Sequence, residues 1–514
     1  MWGLAPRRHD VVFQPSIQQQ AIFDAVSDRN GGSLIIEAVA GAGKTTTLVK
    51  ALELMNGNIF LGAYNSKMAK ELKERTGHLA NVRAGTFHSA GFNALRYAYK
   101  DRLGKDVNDK KVLNIVDRFL EDGTLPAHFA DIAPLIAKTV SMAKQRGLGA
   151  LTDIGDIDAW EAMLDQFGLT DDLPEWIEIS DYEIISASIR VLEKSNTMLN
   201  SIDFDDMVYL PLVFKLRLFP QDWVLIDEAQ DTNPTRRALA ARMLKPGGRV
   251  IAVGDPRQAI YGFTGADNDA LEQIAAQFNC KRMPLTVSYR CPQAVVAHAR
   301  NWVSHITAAD TAPEGSFSTM NFADLNAVVK PGDMVLCRFN KYLVSTCFAL
   351  IRQGTPARIE GRAIGADLVA LIQKWKITSI DTLETRIDAW MLKEVKKALD
   401  KEDDQRAARI ADRGETVKVL IERARELTMT TIAQLAEMTM SMFDDRVVDK
   451  KNMVTLCSVH RSKGLENPKV FILGRGELMG RQMRRQWQSE QEINLIYVAV
   501  TRAQEELIEV VGVA

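Results

Sequence analysis

The chain has 514 residues, 46% hydrophobic and 25% charged. That length allows about three to four domains, each able to bury its own core. Lys and Arg number 64 and Asp and Glu 66, a formal charge of −2, which excludes a uniformly basic nucleic-acid-coating protein but not an enzyme with a local basic groove.

In chain order, SLIIEA (33–38) and NIFLGA (58–63) are short apolar runs, each followed by a helix-like segment, the second of them KMAKELKER (67–75). Such alternation predicts a parallel sheet with crossover helices. Residues 101–199 lack apolar strands and read as helical. Strands return at DWVLIDE (222–228) and RVIAVGD (249–255), so one sheet is expected to be split by a helical insertion.

The pattern then repeats, with strands at MVLCRF (334–339), TLCSV (455–459), KVFILG (469–474) and ELIEVVG (506–512). Between them lies a second helical stretch, 365–446, whose EVKKALDKEDDQRAARIADR predicts solvated helix faces. The expected fold is therefore α/β, with two units of parallel sheet and flanking helices. The first comprises 1–100 and 200–277, interrupted by 101–199. The second comprises 278–364 and 447–514, interrupted by the compact insertion 365–446.

Five scattered cysteines without a C-x-x-C pair argue against a disulfide framework or a zinc site. No run approaches the roughly 18 apolar residues of a membrane span, and MWGLAPRRHDVVF at the start lacks a secretory signal's apolar stretch. A cytoplasmic protein is expected.

AVAGAGKT (38–45) joins a strand to a helix. It departs from G-x-x-x-x-G-K-[ST] only at Ala38. Ala40, Gly41, Ala42 and Gly43 would bring backbone N–H groups to phosphate oxygens at a helix N-terminus. Lys44 would hold the β- and γ-phosphates and the Thr45 hydroxyl Mg²⁺. LIDEAQ (225–230) ends a strand with two acids: Asp227 could hold Mg²⁺ and Glu228 could activate the attacking water, which distinguishes ATP hydrolysis from binding.

These strings, followed by VGDPRQAIYGFTGA (253–266), SYRCP (288–292), VHRSKGLE (459–466) and YVAVTRA (497–503), occur in the order found in superfamily 1 helicases of the UvrD/Rep type, which the chain resembles. LGAYNSKMAKEL (61–72) and AGTFHSAGF (84–92) look most like the F-box DNA helicase and small phage or bacterial versions. The resemblance implies two RecA-like domains with ATP between them. It implies Gln18 as the adenine-reading glutamine, Tyr289 as an aromatic stacked on adenine, and Glu466 near the ribose. It implies Gln258 as γ-phosphate sensor and Arg290 and Arg502 as arginines reaching that phosphate from the second domain, where permanently charged forks suit phosphoryl transfer. Many relatives follow GKT with arginine. Here Thr46 stands there, so one phosphate contact is missing or supplied elsewhere.

The same resemblance places Tyr64, Tyr261 and Phe263 on single-stranded DNA, with His88 and His460 nearby. Aromatic stacking gives about 1–3 kcal/mol per base without base preference. Arg481, Arg484 and Arg485 form a basic cluster, read first as a solvated surface run. The resulting expectation is an ATP- and Mg²⁺-dependent helicase moving 3′ to 5′ on single-stranded and tailed duplex DNA, a monomeric motor open to a recruiting protein. A translocase that strips proteins from DNA, or a nucleotide-gated DNA-binding scaffold, are the alternatives.

Overall fold

The computed structural model describes residues 13–513 except 105, 172, 174–176, 263–264, 268, 401–403, 444–451, 481–482 and 484. Two six-stranded, wholly parallel sheets organise the chain. The first contains β1 (Leu34–Ala38), β2 (Ile59–Ala63), β3 (Val82–Thr86), β4 (Gln221–Ile226), β5 (Leu244–Gly254) and β6 (Lys281–Leu285), in the order β3-β2-β4-β5-β1-β6. After a two-stranded ribbon of β7 (Val287–Ser288) and β8 (Thr307–Ala308), the second sheet follows. It contains β9 (Ser316–Asn321), β10 (Met334–Cys337), β11 (Ala357–Glu360), β12 (Val454–Ser458), β13 (Asn467–Leu473) and β14 (Ala503–Val511), in the order β11-β12-β10-β13-β14-β9. The eight expected strands are present. One boundary moves: 281–285, assigned from sequence to the second unit, pairs with β1 in the first sheet.

Central strands are apolar on both faces because crossover helices cover both. β2 is buried throughout, as is β10. One hydrophobic core runs from Leu34, Ile36 and Leu225 in the first sheet to Leu336, Val470 and Tyr497 in the second unit, so the two units meet through packed side chains.

The helices start where the local chemistry favours it. Ser16 and Gln19 form a capping box on Ile17–Ser27, Asn65 caps Ser66–Thr76, and Thr86 caps Phe87–Tyr99. The last two caps fix the chain just after β2 and β3, where Tyr64 and His88 sit.

The stretch 101–199 is helical as expected, including Lys111–Glu121, Ala133–Arg146, Ile157–Phe167 and Asp181–Thr197. The second insertion folds as Arg362–Gln373, Ile380–Asp400, Asp404–Glu426 and Ile432–Met442. Its charged segment is only partly a solvated face. Asp412 is buried and accepts hydrogen bonds from the N–H groups of Asn340 (3.0 Å) and Lys341 (2.8 Å), at the start of helix Asn340–Arg352. There a carboxylate meets the positive end of the helix dipole.

Candidate active site in the cleft between the sheets

β5 pairs with both β1 and β4, so the carboxyl ends of these three strands lie side by side. Ligands bind outside the carboxyl ends of such sheets, and three loops meet here. In the loop after β1, Gly41 and Gly43 have φ of +72° and +75°. A Cβ on Gly41 would lie 2.6 Å from Arg290 Cβ and 2.7 Å from the Ser288 hydroxyl, so conformation and space both require glycine. Gly43 caps the helix Lys44–Leu52, whose leading N–H groups open onto the loop. The later half of the chain fastens this loop at two backbone points. The Tyr497 hydroxyl accepts from Ala40 N–H at 2.9 Å, and Tyr289 N–H donates to the Gly41 carbonyl at 2.9 Å.

Lys44 Nζ lies 3.1 Å from each carboxylate oxygen of Glu228. Glu228 adopts the left-handed φ of +50°, a costly conformation for a residue with a side chain. Gln230 donates to Glu228 Oε2 at 2.6 Å and accepts from Asp255 N–H at 3.1 Å, tying the ends of β4 and β5 together. Gln258 Nε2 donates to Asp255 Oδ2 at 2.7 Å.

Burial alone would raise the Glu228 pKa, but Lys44, then Lys463 and Gln230, bring it down to about 2. Asp227 moves the other way, to about 7, through burial and the adjacent Glu228 charge, with Lys44 opposing. Glu228 is thus fully ionised at neutral pH, while Asp227 is a buried oxygen donor short of positive charge. Asp227 and the Thr45 hydroxyl are both hard oxygen donors, a set that fits a divalent cation such as Mg²⁺.

The other expected nucleotide contacts surround this centre. Tyr289 is 52% exposed, and its Cδ2 would lie 4.0 Å from a Cβ on Gly43, so the ring borders the loop. Gln18 uses both ends of its amide on Thr286, donating to Oγ1 at 3.0 Å and accepting from N–H at 2.9 Å. Arg290 Nε donates to Glu466 Oε2 at 2.6 Å. Arg502 is fully buried and donates to the carbonyls of Val498 (2.8 Å) and Leu465 (3.1 Å). Burial, and then Arg290, lower its pKa to about 10. Thr46 accepts from Arg75 Nη2 at 3.2 Å, which brings an arginine of another helix to the place where arginine is missing from the loop.

The residues expected near DNA adjoin these carboxylates. Tyr64 and Tyr261 stack on each other, centroids 5.7 Å apart and planes 8° from parallel. The Arg236 guanidinium lies 5.2 Å from the Tyr64 ring centroid, and Lys463 Nζ lies 4.8 Å from that of Tyr261. Lys463 Nζ also donates to Asp231 Oδ2 (2.6 Å) and to the Gln258 carbonyl (2.7 Å). His88 lines a small cavity with Tyr64, Arg236 and Glu228, and burial, then Arg236, lower its pKa to about 4. The His460 carbonyl accepts from the Tyr261 hydroxyl at 3.3 Å. Burial, then Arg338 and Lys463, lower the His460 pKa to about 3, so its ring is neutral near pH 7. Phe263, Arg481 and Arg484 lie outside the described residues. Arg485 is not part of a solvated run: it pairs with Asp171 of the first insertion.

Reading the sequence as separate motifs missed Asp255, Gln230, Asp231, Lys463, Tyr497 and Arg75 as members of the site. All six lie within or beside the quoted strings, but most of their partners are distant in sequence, so spacing alone carried no signal.

The sequence profile of the UvrD/REP helicase N-terminal domain matches residues 18–279, and that of the UvrD-like helicase C-terminal domain matches 224–511. The chain belongs to the UvrD/Rep helicase family. Its two parallel sheets are the two RecA-like domains of that family.

Among similar proteins, ATP-dependent DNA helicase UvrD1 of Mycobacterium tuberculosis is 26% identical over 325 residues, covering 56% of this chain and 38% of that protein. DNA helicase IV of Escherichia coli is 27% identical over 306 residues, covering 50% and 43%. ATP-dependent DNA helicase PcrA of Staphylococcus epidermidis is 23% identical over 302 residues, covering 53% and 38%. The chain thus matches less than half the length of each of these UvrD/Rep relatives. No helix among the described residues is long and apolar enough to cross a membrane.

Proposed function

We propose that the protein is an ATP-dependent DNA translocase and helicase that moves 3′ to 5′ on single-stranded DNA. One observation carries the reading: Lys463, from the second RecA-like domain, reaches the Asp231 and Gln258 side of the nucleotide cleft and also lies against the Tyr64–Tyr261 stack. A change in the cleft is therefore transmitted to an aromatic surface suited to stacking bases.

In this reading ATP lies on the loop 40–46, with Tyr289 on adenine, Gln18 at its edge and Glu466 near the ribose. Lys44 leaves Glu228 for the β- and γ-phosphates, and Glu228, freed of that partner, orients the attacking water and takes its proton. Thr45 and Asp227 would hold Mg²⁺, which neutralises phosphate charge. Arg290 exchanges Glu466 for the γ-phosphate, and Arg502 and Gln258 complete its surroundings. Arg75 supplies the cation that Thr46 does not. Tyr64 and Tyr261, with His88 and His460 beside them, form the DNA track, and the family resemblance adds Phe263 to it.

Strand displacement on duplexes with a 3′ or a 5′ single-stranded tail, with ATP and Mg²⁺, tests this reading. Unwinding of the 3′-tailed substrate alone is expected. Unwinding from the 5′ tail alone would reverse the polarity, and stimulation of ATPase by single-stranded DNA without unwinding would favour a protein-displacing translocase.

A further inference from the structure

A cavity of about 520 Å³ opens at the other end of the first sheet. Phe60, Arg83 and Gln221, at the amino ends of β2, β3 and β4, line it, whereas the nucleotide loops leave the carboxyl ends. Its floor is apolar, with Phe60, Ala94, Leu218 and Met243 buried. Its rim is not what a solvated surface requires. Tyr97 is 85% and Phe219 61% exposed. Arg83 and Arg217 are exposed as well, and among the described residues neither side chain has a hydrogen bond or ion pair. Among the described residues no Asp or Glu lines the cavity.

The wall that presents Phe219 is anchored. Leu216 N–H donates to the Pro211 carbonyl at 2.9 Å, and Arg242 donates to the Leu216 carbonyl at 3.1 Å. Exposed aromatics grouped with unpaired arginines over an apolar cavity mark a recognition surface.

We infer that this cavity docks a partner protein through an acidic peptide segment bearing an aliphatic or aromatic anchor. The anchor fills the apolar floor between Tyr97 and Phe219, and the carboxylates pair with the Arg83 and Arg217 forks. Nucleic acid fits less well, because it needs a run of cations tracking a backbone and this cavity offers two. The cavity also lies away from the Tyr64–Tyr261 stack: Tyr97 is nine residues beyond His88 on one helix, about 13 Å along its axis. Occupancy leaves Lys44 and Glu228 untouched, so the inference stands whether or not the motor reading does.

The test uses the full chain and fluorescein-labelled hexapeptides in fluorescence anisotropy. Asp-Glu-Asp-Glu-Leu-Phe is expected to bind at least about tenfold more tightly than Lys-Arg-Lys-Arg-Leu-Phe or Asp-Glu-Asp-Glu-Ser-Ser. The double substitution Arg83→Glu/Arg217→Glu should weaken it by at least about tenfold and Phe219→Ala severalfold. ATPase rate and melting temperature should stay unchanged, since all three side chains are exposed. Equal binding of the three peptides, or binding indifferent to the double substitution, would overturn the inference. So would loss of oligo(dT) binding in the double variant with peptide affinity intact, which would assign the cavity to nucleic acid.

Discussion

The first helical insertion packs around Ile136, Val140, Trp160 and Val191 in a core shared with Leu95, Met207 and Leu210 of the flanking helices but, among the described residues, with no strand of the first sheet, whereas Val417, Leu420, Ile421 and Leu435 of the second lie in one core with Val335, Leu456 and Phe471 of the second sheet. Charge is buried where the first meets the helix Phe204–Val213. Lys111 pairs with Asp206 at 2.6 Å, and Lys144 pairs with Asp203 at 2.5 Å and Asp206 at 2.7 Å. Toward the cleft, Arg146 and Arg237 share Asp267 and Gln145 closes on Gly265, while Arg485 and Trp487 of the second unit bond to Asp171 and the Gln166 carbonyl. A body whose core takes in no strand of the sheet can shift against that sheet and pass the motion through such contacts. An insertion that shares a sheet's core is a buttress of that sheet. The difference predicts a lever in the first insertion and a support in the second.

The largest test of that contrast is Asp206→Ala. It leaves two buried lysines short of a partner and should cost about 3–5 kcal/mol in urea denaturation. A cost below about 1 kcal/mol would mean that the network does not hold the first insertion to the helix Phe204–Val213.

Asp205, hydrogen-bonded to Ser141, comes next. Burial, then Asp203, raise its pKa to about 6. A carboxyl raised in the folded state loses stability as pH climbs from its unfolded value near 4 through 6. Asp205→Asn should therefore be the more stable protein at pH 8, by up to roughly 3 kcal/mol, and the gain should shrink toward pH 5. A gain independent of pH would refute the assignment.

On the second insertion, Asp412→Ala removes the cap from helix Asn340–Arg352 and should cost about 1–2 kcal/mol. A buttress role requires this loss to leave DNA-stimulated ATPase nearly intact, so a parallel loss of stimulation would blur the contrast. Smallest is Arg75→Ala, expected to raise the KM for ATP severalfold with kcat little changed. An unchanged KM would remove Arg75 from the site.

The central strands were legible because burial on both faces makes them continuous apolar runs. The outer strands were not. β9, SFSTMN, is exposed along most of its length, and β6, KRMPL, carries two charges and a proline. Neither shows a strand period, which is why the division between the units was drawn before β6.

The phosphate loop and the acid pair were legible because their chemistry needs fixed residue types at fixed spacing. The Tyr497 contact to Ala40 and the Lys463 bridge were not, since each joins residues hundreds of positions apart or answers to two partners at once. The fusion of the second insertion with its sheet was hidden for a related reason. Its helices carry both buried and charged faces, and composition does not say what the buried face meets.

The central claim is that Lys44, Glu228 and the second-domain residues form one hydrolytic cleft coupled to DNA. Glu228→Gln tests it most directly, with ATP affinity and DNA-stimulated hydrolysis measured on the same preparation. ATP binding is expected to persist while turnover, with and without single-stranded DNA, falls by about two orders of magnitude or more. Hydrolysis at the wild-type rate would contradict it.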